Sequence, residues 1–139
     1  YRPNSLAPDR AAWGRDNKGA MLRVVSAGPG DGATRLENRI GEPAANPYLY
    51  LASQIYSGLD GLKNNLTPPP PTDDPYANDA PPLPTNLMDA VTELDNSATM
   101  RSAFGDRFVD YMLHIKRAEI ARFLSSVTDW EHKEYFEIF

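Results

Sequence analysis

The chain has 139 residues, one domain's worth, enough to bury about 70% of its unfolded surface on compact folding. It contains no cysteine, which excludes disulfides and thiolate metal sites and fits a reducing, cytoplasmic setting, and its apolar runs fall far short of the roughly 20 residues of a membrane span. The net charge of −5 is uneven: residues 1–39 carry seven Lys/Arg against four Asp/Glu, residues 40–139 seven against fifteen, which argues against a nucleic-acid partner and suits a local anion site.

The chain opens at Tyr1-Arg2-Pro3 with no initiator Met, as the interior of a longer protein would. Residues 1–19, broken by Pro3, Pro8 and Gly14, read as an extended, partly looped segment. Ala20 to Ala27 is rich in apolar and β-branched residues and predicts a strand. Gly28-Pro29-Gly30-Asp31-Gly32 is a turn, and not a phosphate loop, because no Gly-Lys-Ser/Thr follows and no helix opens there. Thr34 to Glu42 returns as a second strand, predicted antiparallel to the first.

That second strand holds Arg35-Leu36-Glu37-Asn38-Arg39. Side chains alternate between faces along a strand, so Arg35, Glu37 and Arg39 share one face and Leu36, Asn38 and Ile40 the other. Two guanidiniums beside a carboxylate can hold phosphate or a substrate carboxylate while the acid serves a hard cation. The five residues alone favour a solvated ladder of ion pairs, since surface pairs are common; the motifs that follow change the balance.

Asn46 and Pro47 predict a helix start, the first as cap and the second at a position whose missing N–H had no partner anyway. Leu49, Ala52, Ile55, Tyr56, Leu59 and Leu62 then form one stripe, read as core packing, and Asn64-Asn65 closes the helix. Residues 67–85 carry eight of the thirteen prolines, including Pro68 to Pro71, and read as a stiff connector packed across a larger body. A helical tail fills residues 86–139. It has a short segment from Leu87 to Leu94, another opened by Asn96-Ser97 and ended by Gly105, and a long helix capped by Asp106. The long helix carries a stripe of Phe108, Tyr111, Met112, Ile115, Glu119 and Phe123. Thr128-Asp129-Trp130-Glu131 resembles a capping box for a last helix with Trp130, Tyr135 and Phe139. His114 and His132 show no ligand pattern.

The ordered motifs Ala7-Pro8 to Trp13-Gly14, Asp16 to Val24, Arg35 to Arg39, and Ala44-Ala45-Asn46-Pro47-Tyr48-Leu49 to Gly58-Leu59-Asp60-Gly61 resemble the carboxy-terminal part of the glutamine synthetase catalytic domain. The closing Glu-Tyr-Phe-Glu segment is similar to the family's end. The resemblance implies an α+β fold in which a short antiparallel β element is followed by a helical layer, with residues 1–139 one portion of that domain. It implies an ATP-dependent ligase of nitrogen metabolism, working with Mg2+ or Mn2+, that phosphorylates the glutamate γ-carboxylate and amidates it with ammonia. A homo-oligomeric ring is implied for the full-length protein. By the same resemblance Glu37 is the metal-binding carboxylate, Arg39 holds the glutamate carboxylate, and Arg35 and Arg23 contact nucleotide phosphates.

Two positions depart from the family's pattern. Lys18 stands where an Arg of the catalytic set is usual, keeping the charge and losing the bidentate fork. Leu6 stands in place of a flap acid that helps deprotonate ammonium, which favours a γ-glutamyl-amide ligase using an organic amine. Tyr76 lies near a loop tyrosine that some members modify, though its flanks differ. The amino-terminal β-grasp domain and most metal-binding carboxylates of the family lie outside this sequence, so the chain alone is expected to be inactive. A reading of another class, a noncatalytic acidic interaction domain with a Pro-rich arm, stays open on the residues themselves.

Overall fold

The computed structural model describes residues 7–77 and 79–138, which form two units, one extending to Asn86 and the other starting at Leu87. The fold is α+β: a three-stranded sheet and the helix α1 in the first unit, helices α2 to α5 in the second.

The sheet has the order β1 (Trp13–Arg15), β2 (Leu22–Val25), β3 (Arg35–Asn38). The expected antiparallel pair is present, with Arg23 opposite Glu37 and Val24 opposite Leu36. Both strands are shorter than predicted. Beyond β3 the Asn38 Oδ1 accepts from the Ile40 amide at 3.1 Å and bends the chain, and beyond β2 the Asp31 carboxylate takes the Ala27 and Ala33 amides and closes the turn. Gly28 and Gly30 within that turn adopt positive φ.

Residues 1–19, expected to be extended and partly looped, include a third strand that the sequence did not single out. β1 pairs parallel to β2, Trp13 opposite Leu22 and Arg15 opposite Val24. Parallel neighbours normally need a crossover of a dozen or more residues. Here residues 16–21 suffice because Asp16 takes a left-handed backbone (φ 50) and Asn17 Oδ1 accepts from the Gly19 amide to tighten the next turn. Leu6 lies outside the described residues.

The helix α1 (Pro47–Lys63) starts and stops as the sequence predicts. Asn46 Oδ1 accepts from the Tyr48 and Leu49 amides, Pro47 occupies the first turn, and Asn64 caps the end. Its apolar stripe does not pack as core. No residue of α1 is buried, and Ile55, Leu59 and Leu62 are 61%, 53% and 77% exposed. Periodicity identifies an apolar face but not what covers it.

The Pro-rich connector is tied along the first segment of its own unit. Trp13 Nε1 donates to the Pro69 carbonyl (2.6 Å) and the Thr72 amide to the Trp13 carbonyl (2.8 Å). The Ala11 amide donates to Pro81 O and the Leu83 amide to Asp9 O, each at 2.8 Å. Asn17 Nδ2 reaches the Thr72 and Asp73 carbonyls. Pro69 and Pro81 supply carbonyls, and the missing N–H groups of the prolines keep the segment from becoming a full strand; among the described residues its one ladder pairing is an isolated bridge, Arg10 to Pro82.

In the second unit α2 (Leu87–Asn96), α3 (Ala98–Phe104) and α4 (Asp106–Leu124) enclose a small core of Val91, Val109 and Leu113, flanked by Leu94, Phe104 and Ile120. The predicted α4 stripe is therefore displaced. Tyr111, Ile115 and Phe123 point outward and Val109 and Leu113 inward, because α4 is apolar on more than one side and α2 selects the face. Ser97 caps α3 through the Met100 amide. Asp106 is not the α4 cap: Gly105 takes that place at φ 83, and Asp106 accepts from Arg101 instead. The capping box at α5 (Trp130–Tyr135) does not form either. Asp129 makes no side-chain cap bond and pairs with Lys133 one turn on. Phe139 lies outside the described residues.

Candidate functional site

The strand pairing brings four of the five predicted residues, Arg23, Arg35, Glu37 and Arg39, together on one face of the sheet. Glu37 is the hub. Its Oε1 accepts from Arg35 Nε (3.1 Å) and Nη2 (2.9 Å), and its Oε2 accepts from Arg23 Nη1 (3.2 Å). Arg39, one residue past β3, brings Nη1 to 3.9 Å from the same Oε2. Arg23 is the most enclosed guanidinium, its side chain 16% exposed, while Arg35 is the most open.

Partial burial alone would raise the Glu37 carboxyl, but hydrogen bonds and charge from Arg35 and Arg23 outweigh it and hold the group below its ordinary range. The acid is thus ionised at neutral pH and balances only part of the surrounding positive charge. Three guanidiniums on one strip can grip tetrahedral or planar anions through paired N–H donors, a geometry lysine does not supply. Lys18, the fifth predicted residue, is exposed in the turn after β1 and stands outside this hydrogen-bonded set, acting on Asp16 through charge alone.

Asp16 is a site residue the sequence reading left without a role. Its Oδ1 accepts from Arg23 Nε at 3.0 Å and from Nη2. The hydrogen bond from Arg23, then its charge, holds the Asp16 carboxyl low, and Asp16 in turn raises the guanidinium. A seven-residue separation around an unforeseen strand gave no local signal for this pair.

The opposite face of the sheet is apolar. Trp13, Leu22, Val24 and Leu36, with Pro68 and Pro69, line a cavity of about 470 Å³. Asn38 on this face donates through Nδ2 to Gln54 Oε1 at 2.8 Å and ties β3 to α1.

A divalent cation does not fit the described residues of this chain by themselves. Both Glu37 oxygens are engaged by guanidiniums, and among the described residues no three His, Asp or Glu side chains converge. A hard cation needs about six oxygen donors or more. The cluster as it stands suits anions.

The family model for the glutamine synthetase catalytic domain matches residues 1–135, and the chain belongs to that family. It is 51% identical to a gamma-glutamylanilide synthase from Acinetobacter, over 99% of this chain and 30% of that protein. It is 38% identical to a gamma-glutamylethanolamide synthetase from Streptomyces coelicolor, over 99% of the chain and 29% of the relative. A glutamine synthetase from Methanococcus maripaludis is 34% identical over 98% of the chain and 32% of its own length. The chain spans about a third of the length of these curated relatives. Among the described residues no helix is long and apolar enough to cross a membrane.

Proposed function

We propose that this chain is the carboxy-terminal portion of the catalytic domain of an ATP-dependent glutamate–amine ligase, contributing its phosphate- and glutamate-gripping strip. The observation that carries the reading is the clustering of Arg23, Arg35 and Arg39 around Glu37 on one sheet face. Phosphoryl transfer is catalysed mainly by positioning and by fixed charge around the migrating group. Arg23 and Arg35 meet the ATP phosphates and the charge that develops on transfer to the γ-carboxylate. Arg39, at the end of the strip and held by one longer contact, is left for the glutamate carboxylate. Lys18 adds charge at the rim. Glu37 keeps the guanidiniums apart and in plane; any Mg2+ or Mn2+ would draw its remaining donors from outside this chain. The full-length protein would form a ring of identical subunits in the cytoplasm.

For the acceptor, we infer an organic amine in place of ammonia. By the family resemblance Leu6 occupies the position of an acid that attracts ammonium and takes its proton, and leucine can do neither; such help is typically worth about 10²–10⁴ in rate. The names of the two relatives at 51% and 38% identity, which concern anilide and ethanolamide products, point the same way. Relatives named glutamine synthetase keep ammonia as the second reading. The test is phosphate release by the full-length protein at fixed ATP and glutamate, comparing ammonium with aromatic, hydroxyalkyl and polyamines. An organic amine with the highest kcat/KM is expected; ammonium in that place would contradict the acceptor reading. The chain of residues 1–139 alone is expected to release no phosphate.

A further inference from the structure

We propose that Asp16 is a positioning residue for the proposed phosphoryl-transfer site, fixing Arg23 so that its Nη1 edge alone meets Glu37 and its plane stays on the strip. The inference rests on the ligase reading above. Three independent features converge on it.

First is the grip. Asp16 Oδ1 takes both Nε and Nη2, which pins one edge of the guanidinium and leaves Nη1 to reach Glu37 Oε2 at 3.2 Å. Arg23 is therefore stretched between two carboxylates on two different elements, and rotation about its last bonds would break one contact or the other. A flexible side chain so held loses its freedom before a phosphate arrives, which is how positioning lowers a barrier.

Second is the backbone. Asp16 lies at φ 50, a region few non-glycine residues tolerate, Asp and Asn being among those that do. Its amide donates to the Val24 carbonyl at 2.8 Å, so the left-handed residue is fixed against the strand that carries Arg23. Glycine would satisfy this conformation at less cost. The presence of a carboxylate here instead is what the grip requires.

Third is the support. Asn17, the next residue, donates to the Thr72 and Asp73 carbonyls at 3.3 and 3.1 Å and accepts from the Gly19 amide. A Cβ on Gly19 would lie 2.5 Å from Pro75 Cγ and 2.9 Å from the Tyr76 hydroxyl oxygen, so the connector lies directly on this turn. The Pro-rich connector thus braces the turn that aims Asp16.

The experiment uses the full-length protein and steady-state kinetics with ATP, glutamate and its best amine. Asp16→Gly keeps the φ 50 backbone and removes the grip; glycine's ease at that φ offsets the lost ion pair, so its melting temperature should stay close to that of the wild type. Its kcat/KM for ATP should fall about 3- to 20-fold, a charge-assisted contact discounted for exposure, with glutamate KM unchanged. Asp16→Asn retains an acceptor oxygen and should restore part of the loss. In an Arg23→Gln background Asp16→Gly should have no further effect, since the two act as one unit. Wild-type-like kinetics of Asp16→Gly in an active enzyme would overturn this proposal alone, as would an undiminished Asp16→Gly effect on Arg23→Gln. A wild type without ATP- and glutamate-dependent turnover would overturn the ligase reading and this proposal with it.

Discussion

At the scale of single residues, strand alternation is enough to place Arg35, Glu37 and Arg39 on one face, the contacts of Arg35 and Arg39 with Glu37 agree, and the register adds Arg23 opposite Glu37. What alternation cannot give is the charge state that results. Glu37 is held below its ordinary carboxyl value of 4.5 despite the opposing effect of partial burial. A carboxylate whose folded value is lowered adds stability that is fully present above its unfolded value and is lost as pH falls through the folded one. The β2–β3 pair should therefore weaken on acidification below about pH 4.5, and a Glu37→Gln chain should lose the share of that dependence that Glu37 contributes while keeping the share of Asp16. A side-chain NMR titration of Glu37 should give a midpoint under 4.5; one at or above 4.5 would contradict the cluster geometry. Asp16 was invisible at this scale because its partner is reached through a left-handed residue, and neither sequence spacing nor strand alternation encodes that.

At the scale of elements, local rules were legible and nonlocal ones were not. Asn46-Pro47 announces α1 because capping is satisfied within three residues of the chain. The three residues of β1 carry no pattern of their own and form a strand only because β2 offers an edge. On α4, two apolar faces competed, and the choice fell to Val91 of α2. Substitutions make this choice measurable in the 139-residue chain. Leu113→Ala should cost about 2–5 kcal/mol, the usual range for a buried leucine, whereas Tyr111→Ala on the outward face should stay within about 0.5 kcal/mol. Equal effects in urea unfolding would mean that the packed face has been misassigned. Glycines give a second contrast. A Cβ at Gly14 would meet the Thr72 carbonyl at 2.8 Å, so Gly14→Ala should push the connector away and lower the melting temperature. Gly58, inside α1 with open space around it, should accept Ala with a gain of roughly 0.5–1 kcal/mol. A stabilising Gly14→Ala would show that the connector does not lie where Trp13 and Asn17 hold it.

At the scale of the whole molecule, the mismatch between the apolar α1 stripe and its exposure is the main physical fact. Ile55, Leu59 and Leu62 lie along one stripe of α1 that this chain leaves exposed. An exposed apolar stripe of that length drives association. The isolated chain should thus self-associate in sedimentation, and less so after Ile55→Ser with Leu62→Ser; a monomer stable to dilution would contradict that. Of the candidate site, the strip of Arg35, Glu37, Arg39 and Arg23 is readable in the sequence, because its residues lie on or one position past one strand and on its neighbour. A cation site is not readable here, since Glu37 is a single carboxylate whose oxygens are already taken by guanidiniums.

The proposed division of labour along the strip is tested most directly by measuring KM for glutamate and for ATP in full-length Arg39→Ala and Arg35→Ala enzymes. Arg39→Ala should raise the glutamate KM by roughly 10- to 150-fold, the worth of a charge-assisted hydrogen bond, with a much smaller change for ATP. Arg35→Ala should act chiefly on ATP. An unchanged glutamate KM in Arg39→Ala, with the loss confined to ATP, would contradict the account.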